Sequence, residues 1–163
     1  MNIVVDTSST INLYNGGMLE IVLGLTSLSY VFHMGVIVKG ECGDLSGVLN
    51  LYVTDGRLIL LPDQTLLLSE FTAVLEEYDL GAGETECIAL ARQQGLTVCT
   101  DDKAARRAAT SYLGANRVLG SLALIRECVR SGRLSPSDAI IGYRTMRLCG
   151  AFLPDLEASY FDC

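Results

Sequence analysis

Five short apolar runs, separated by longer amphipathic segments, constrain this chain to an alternation of strands and helices. Each run contains Val, Ile or Leu, and together they span residues 2–5, 29–34, 57–62, 96–100 and 116–120. A buried parallel strand has this kind of short continuous apolar pattern. Strands that alternate with helices of roughly 10–15 residues predict an α/β fold, with a parallel sheet flanked by helices.

The segments between the runs have helical periodicity, and glycine or hydroxyl residues mark several of their ends. A chain of 163 residues is long enough for one domain with a substantial core, so we expect a single domain over residues 1–163. The tail, residues 151–163, has no clear pattern. Helices are predicted over residues 7–15, 16–25, 36–56, 65–81, 83–95, 101–114, 121–132 and 135–150.

The charge of −7 argues against a protein that is basic over its whole surface, but the two halves of the chain differ. Residues 1–91 carry 12 Asp and Glu against 2 Lys and Arg, whereas residues 92–163 carry 7 against 10. An acidic half beside an Arg-rich half is consistent with a cation site next to a phosphate-contacting surface. Ordinary solvated helix faces explain most of those arginines equally well.

The cysteines and the amino terminus indicate a cytoplasmic protein without a zinc site. The six cysteines form no C-x-x-C pair, and the only histidine, His33, lies in an apolar run, so we expect reduced thiols. The start MNIVVDTSS lacks the basic region of a signal peptide. Residues 18–38 are apolar but contain Glu20 and His33, which favours a short helix and a strand over a membrane span. The cysteines are Cys42, Cys87, Cys99, Cys128, Cys149 and Cys163.

Acidic residues recur where the predicted strands end and the helices begin. Asp6 follows the first strand, and Asp101 with Asp102 follows the fourth. Ligands of open α/β sheets bind at the carboxyl ends of the strands, so these positions are candidates for a site. Glu84 and Glu86 open a helix, and Glu41 lies in an apolar stretch where a lone carboxylate is costly to bury. Taken singly, each acid is explained at least as well by helix capping or by solvent exposure.

Taken together, the acids predict a metal site if they converge in space. Two carboxylates about 4 Å apart repel by roughly 4 kcal/mol at an effective dielectric constant of 20, so a cluster needs protons or a cation. Oxygen ligands without Cys or His favour Mg²⁺ or Mn²⁺. Such ions activate water for attack on phosphodiesters, which predicts a metal-dependent nuclease.

The order of these motifs resembles that of the PIN-domain proteins, and in particular the prokaryotic branch related to toxin–antitoxin (VapC-type) ribonucleases. The resemblance rests on VVDTSS, on GETECIALA, on TDDKAARRAA and on the following VLGSL, and it extends from Asp6 to about residue 135. It implies a three-layer α/β/α sandwich with a central parallel sheet, and a Mg²⁺- or Mn²⁺-dependent endoribonuclease.

Carried over by position, the resemblance assigns four catalytic acids, with neighbouring acids as alternative metal ligands. The third acid is Glu where the family more often has Asp, and Glu41 lacks the usual proline nearby. Because Glu84 and Glu86 are two residues apart, they do not share a helical face, and only one is expected to bind the metal. The catalytic acids are Asp6, Glu41, Glu84 and Asp102; the metal ligands are Asp6, Glu84, Glu86, Asp101 and Asp102; the supporting hydroxyls are Thr7, Ser8 and Thr100.

Lys103 and Arg106 are neighbours on one helical face and are candidates for contacting phosphate. The resemblance implies an RNA substrate, an antitoxin protein and a homodimer. A non-catalytic PIN-like module that binds nucleic acid is the second hypothesis. A phosphoacceptor domain is the third, although a phosphoacceptor aspartate at the end of a central strand is not evident: the strand RLILLP has Asp63 only after a proline.

Overall fold

The computed structural model describes residues 1–162 and contains a five-stranded sheet in which every neighbouring pair of strands is parallel. Cys163, one of the six thiols of the sequence analysis, lies outside the described residues. The strands are β1 (Asn2–Val5), β2 (Val31–Gly35), β3 (Ile59–Leu61), β4 (Thr97–Cys99) and β5 (Val118–Leu119). Their order across the sheet is β3-β2-β1-β4-β5, which confirms the predicted parallel sheet.

Nine α-helices lie within the described residues, and five short 3₁₀ turns join or follow them. The turns cover Gly24–Leu28, Gly43–Leu45, Asp63–Thr65, Ala115–Arg117 and Ala158–Phe161. The helices are α1 (Thr7–Asn15), α2 (Leu19–Leu23), α3 (Val36–Glu41), α4 (Ser46–Thr54), α5 (Leu68–Glu77), α6 (Ala82–Gln94), α7 (Lys103–Leu113), α8 (Ser121–Arg130) and α9 (Pro136–Leu148).

The helices form two layers around the sheet. Helix α6 packs against β1, β2 and β4, and α5 and α7 flank it. Helix α1 contacts α2, α8 and α9 on the other side. Val5, Phe32 and Met34 of the sheet meet Leu13 of α1 and Leu49 of α4 around one enclosed space of the core. The predicted three-layer α/β/α sandwich is therefore confirmed.

The strand order places a topological switch point between β1 and β4. The chain adds β2 and β3 on one side of β1 and then crosses to add β4 and β5 on the other. Val5 pairs with Cys99, so Asp6 and the acids after Thr100 leave the sheet at the same edge. In open α/β sheets the crevice at such a point is the usual ligand site.

Three predicted helices differ clearly from the observed ones. The helix predicted over 16–25 is observed only over Leu19–Leu23 and continues as a 3₁₀ turn from Gly24. The segment 36–56 is divided into α3 and α4 by the 3₁₀ turn at Gly43–Leu45. The helix predicted over 65–81 begins only at Leu68, because Leu66 and Leu67 have extended backbone angles, and Gln93 of α6 accepts the Leu67 N–H at 2.9 Å. Such changes in backbone angle leave the hydrophobic periodicity unaltered, so the sequence pattern does not predict them.

No helix within residues 1–162 is long and apolar enough to span a membrane. In the segment 18–38, which raised that question, a short helix and a 3₁₀ turn precede strand β2, and α3 begins immediately after it.

Two glycines with open surroundings provide a matched test of backbone conformation. Gly95 ends α6 with a φ of 71°, and Gly47 lies within α4; neither has an atom within 4 Å of an added Cβ. We expect Gly95→Ala to lower the free energy of unfolding by about 1–2 kcal/mol, because a Cβ disfavours positive φ. Gly47→Ala should raise it by about 0.5–1 kcal/mol, because Gly weakens a helix. Urea unfolding of both variants measures the difference, and equal effects would contradict the assigned backbone angles.

Candidate active site

Asp6 is a buried carboxylate at the point where β1 ends and α1 begins. It caps α1: its Oδ1 accepts the Ser9 N–H at 2.8 Å, and its own N–H donates to the Cys99 carbonyl at 3.1 Å. Burial raises the pKa of Asp6 to about 6, although hydrogen bonds from Thr100, Ser9 and Ser8 oppose the rise. The negative charge of Asp101 adds to it. The side chain therefore retains a proton more readily than an ordinary aspartate.

The Ser8 hydroxyl connects the ends of β1 and β4. It donates to both carboxylate oxygens of Asp6, at 3.0 and 2.9 Å, and accepts the N–H groups of Asp101 and Asp102, both at 3.2 Å. Thr100 Oγ1 also accepts the Asp102 N–H at 3.2 Å. These contacts give structural roles to two of the three predicted supporting hydroxyls.

Asp101 is held by two residues that the sequence analysis did not select. Its Oδ1 accepts the Ser121 N–H at 2.9 Å, while its Oδ2 accepts the Ser121 hydroxyl at 2.6 Å and the Asn12 amide at 2.9 Å. Asn12 lies one helical turn after Ser8 on α1, and Ser121 is the serine of the motif VLGSL. Asn12 shares a helix face with Ser8 as its i, i+4 neighbour, but the contacts of Asn12 and Ser121 with Asp101 depend on how α1 and α8 pack against β4.

Asp102 and Glu84 lie at the starts of α7 and α6. Asp102 Oδ1 caps α7 by accepting the N–H groups of Ala104 at 2.7 Å and Ala105 at 2.8 Å. Glu84 Oε2 accepts the Gly81 N–H at 3.0 Å. Burial raises the pKa of Glu84, the Gly81 hydrogen bond partly offsets the rise, and the nearby charges of Asp102 and Glu41 add to it. The two acids are therefore electrostatic neighbours.

Glu41 reaches this group from the end of α3. It accepts the Thr7 hydroxyl at 2.6 Å and the Gly83 N–H at 3.0 Å. A Cβ on Gly83 would overlap the Glu41 carboxylate, so the glycine permits the close approach of α3 to α6. Five predicted acids thus form a contiguous group at the switch point, which we call the acidic cluster: Asp6, Glu41, Glu84, Asp101 and Asp102.

Glu86 is the predicted acid that the structure does not bring into this group. It is buried, and it accepts the N–H groups of Ile37 at 3.1 Å and Val38 at 3.0 Å, the free donors in the first turn of α3. It also lines a cavity of about 270 Å³ that no member of the acidic cluster lines. Gly35 permits this contact, because a Cβ there would overlap the Glu86 carboxyl group. Glu86 of α6 therefore caps α3, a helix that is distant from it in the sequence.

The two predicted phosphate-contacting cations differ in their surroundings. Lys103 is exposed at the start of α7. Arg106 is partly buried, and its Nη2 donates to the Thr100 carbonyl beside the acidic cluster. Neither residue forms an ion pair within residues 1–162. Contact with phosphate remains a prediction for both.

The acidic cluster has the donor chemistry for Mg²⁺ or Mn²⁺ but is not a preformed cage. Every donor is a carboxylate or hydroxyl oxygen, which suits such hard cations, and each carboxylate offers about four acceptor sites. No ion pair neutralises these acids within the described part of the chain. However, no three His, Cys, Asp or Glu side chains of residues 1–162 are close enough, as arranged here, to hold a metal ion.

Fold and site together define an α/β/α sandwich protein with carboxylates gathered at the switch point of a parallel sheet. A family model described as a PIN domain matches residues 62–153, which is more than half of the chain. The chain therefore belongs to the PIN-domain family, and the resemblance found in the sequence is confirmed at that level. PIN domains are generally nucleases that typically use divalent metal ions. A search of curated proteins finds no match to the chain.

The matched segment includes only part of the candidate site. It contains Glu84, Asp101, Asp102, Lys103 and Arg106 but ends before the last residues of the tail, and Asp6 and Glu41 precede it. The contacts described above, rather than the family match, connect Asp6 and Glu41 to the matched acids.

The buried position of Asp6 predicts an unusual pH dependence in metal-free protein. Because the folded pKa of about 6 exceeds the ordinary value of 3.8, the folded state binds more protons between these values, and stability should fall as pH rises through them. Asp6→Asn keeps the capping acceptor and removes this effect. In EDTA, the variant's stability relative to wild type should increase between about pH 4 and pH 7, by at most about 3 kcal/mol. Denaturant unfolding measures this gain, and a difference independent of pH would contradict it.

Proposed function

We propose that this chain, as a single PIN domain, is a Mg²⁺- or Mn²⁺-dependent endoribonuclease whose active site is the acidic cluster. The observation that carries the proposal is the gathering of five carboxylates at the switch point without a compensating ion pair in residues 1–162. Membership of a family whose members are generally nucleases supports it.

In this proposal different residues in and around the cluster bind the ion and the substrate. Asp6, Glu84 and Asp102 would hold the metal, and Glu41 and Asp101 would be neighbouring carboxylates. When bound, the ion would neutralise the cluster, polarise the scissile phosphate and lower the pKa of the attacking water. Ser8 keeps Asp6 beside Asp101 and Asp102, while Lys103 and Arg106 supply positive charge for the phosphate groups.

A second candidate function is favoured by the absence of a preformed cage in residues 1–162. All five carboxylates accept hydrogen bonds from N–H or O–H groups, which stabilise them without a metal. A PIN-like module that binds nucleic acid and does not cleave it is consistent with that arrangement. Metal binding and turnover distinguish the two functions.

The nuclease proposal predicts metal-dependent cleavage that requires the acidic cluster. Wild-type protein should cleave a mixed pool of single-stranded and structured RNA in Mn²⁺ or Mg²⁺, and EDTA should abolish the cleavage. Asp6→Asn and Asp102→Asn should each reduce the rate by at least about 100-fold, because they remove a negative ligand but keep a helix cap. Gel analysis of end-labelled RNA measures the rates.

Glu76→Gln is the matched control, since Glu76 is an exposed acid on α5 outside the cluster. It should leave the rate unchanged. Wild type should also be stabilised by the metal, by about 2.7 kcal/mol at 100 times the dissociation constant, and Asp6→Asn much less. RNA binding with neither cleavage nor a metal-dependent thermal shift would support the non-catalytic module instead.

The proposal extends to self-association. Helix α5 and the residue before it expose Leu67, Leu68 and Leu75, which a homodimer would cover. We expect sedimentation to detect a dimer at micromolar concentration, and Leu68→Glu to weaken it at least tenfold because a charge would enter an apolar contact. A monomer at high micromolar concentration would contradict the dimer.

A toxin role with an antitoxin partner remains a prediction, to be tested by copurification with the product of an adjacent gene.

A further inference from the structure

A cavity of about 370 Å³ lies beside the acidic cluster at the carboxyl end of β5. Asp101 and Arg106 line it, together with Phe152, Pro154 and Tyr160 of the tail. Its volume is within the range of small-ligand sites, roughly 300–1,000 Å³. We call it the tail pocket.

The tail that lines this pocket is fixed to the body of the protein. Phe161 is completely buried in the core. The Tyr143 hydroxyl of α9 donates to the Pro154 carbonyl at 2.7 Å and accepts the Leu156 N–H at 3.2 Å. The tail is therefore anchored at Pro154, Leu156 and Phe161.

The pocket lining combines aromatic rings with one cation, Arg106, and one carboxylate, Asp101. Arg126 lies against the Tyr160 ring without being a lining residue. Phe152 is 89% exposed, although a phenylalanine is costly to leave in water. The Tyr160 ring is held edge-on by Phe161 at 5.0 Å between centroids, and the Arg126 guanidinium lies 5.4 Å from its centroid. Rings next to basic groups are the elements with which proteins hold single-stranded nucleic acid, since bases stack on the rings.

The tail pocket is directly connected to the candidate active site. Asp101, which lines the pocket, donates its N–H to Ser8, and Ser8 donates to Asp6. Arg106 lines the pocket and also binds the Thr100 carbonyl at the end of β4. A nucleotide in the pocket would therefore have its phosphate next to the carboxylates.

We infer that the tail pocket binds an unpaired base of single-stranded RNA, next to the phosphate that lies at the acidic cluster. The inference rests on the proposed function for its substrate class and adds to it a base-binding position. Phe152 stacks on the base, and Arg106 faces the adjoining phosphate. Stacking on a ring is tolerant of base identity, so the pocket selects for an unpaired base rather than for a sequence.

The test is RNA binding in EDTA, where a metal-dependent nuclease does not cleave its probe. Fluorescence anisotropy follows a labelled single-stranded oligouridylate and an oligomer of equal length with abasic riboses. Phe152→Ala should weaken binding of the oligouridylate about tenfold, a typical loss for one stacked base, and leave the abasic probe unaffected. Phe152→Tyr keeps a ring and should bind as wild type does.

Leu148→Ala is the matched control, because Leu148 is 87% exposed and lines a different cavity. It should leave the affinity for both probes unchanged. Three results for Phe152→Ala would overturn the inference: an equal loss of affinity for both probes, no loss of affinity for either probe, or changed sedimentation with unchanged RNA affinity. The cleavage assay is separate: Phe152-dependent binding without turnover would refute the nuclease and retain the pocket, whereas turnover without Phe152-dependent binding would retain the nuclease and refute the pocket.

Discussion

The candidate site depends on carboxylates that accept the free N–H groups at the starts of helices. Asp6 does so for α1, Asp102 for α7, Asp101 for α8, and Glu84 for the N-terminal residue before α6. A helix start carries a positive partial charge, which favours a nearby anion by about 0.3–1 kcal/mol at an exposed position and by more when it is buried. The parallel sheet brings these four helix starts to one edge. Carboxylates that repel one another are therefore each stabilised by a different helix.

The Ser8 hydroxyl connects the two sides of the switch point by hydrogen bonds. A single hydroxyl donates once and accepts twice, and Ser8 uses this full capacity between Asp6, Asp101 and Asp102. Without it the part-buried Asp101 N–H would lose its acceptor, and the cost would lie below the roughly 1–3 kcal/mol of a fully buried unsatisfied donor. The separation of the acids is thus set by the protein itself, before any cation or substrate arrives.

Most of the fold and the acid positions could be predicted from the sequence because their causes are local. Apolar runs gave the strands, and the acids at their ends followed from the geometry of parallel sheets. The different environments of Glu84 and Glu86 could not be predicted, since they depend on which element packs on each side of α6. The tail lacked a pattern because distant residues, Tyr143 above all, hold it in place. Asn12 and Ser121 needed the register of α1 and α8 against β4.

The contact between Glu86 and α3 has a consequence for cooperativity. A six-residue helix is too short to persist by itself. Two N–H groups in the first turn of α3 donate to the carboxyl group of Glu86, which lies nearly fifty positions later in the chain. Helix α3 therefore cannot remain formed when α6 moves away, and Glu41 at its end leaves the acidic cluster in the same event. Partial unfolding that separates α3 from α6 therefore disassembles the site. A partly open molecule does not keep the acids in their functional arrangement.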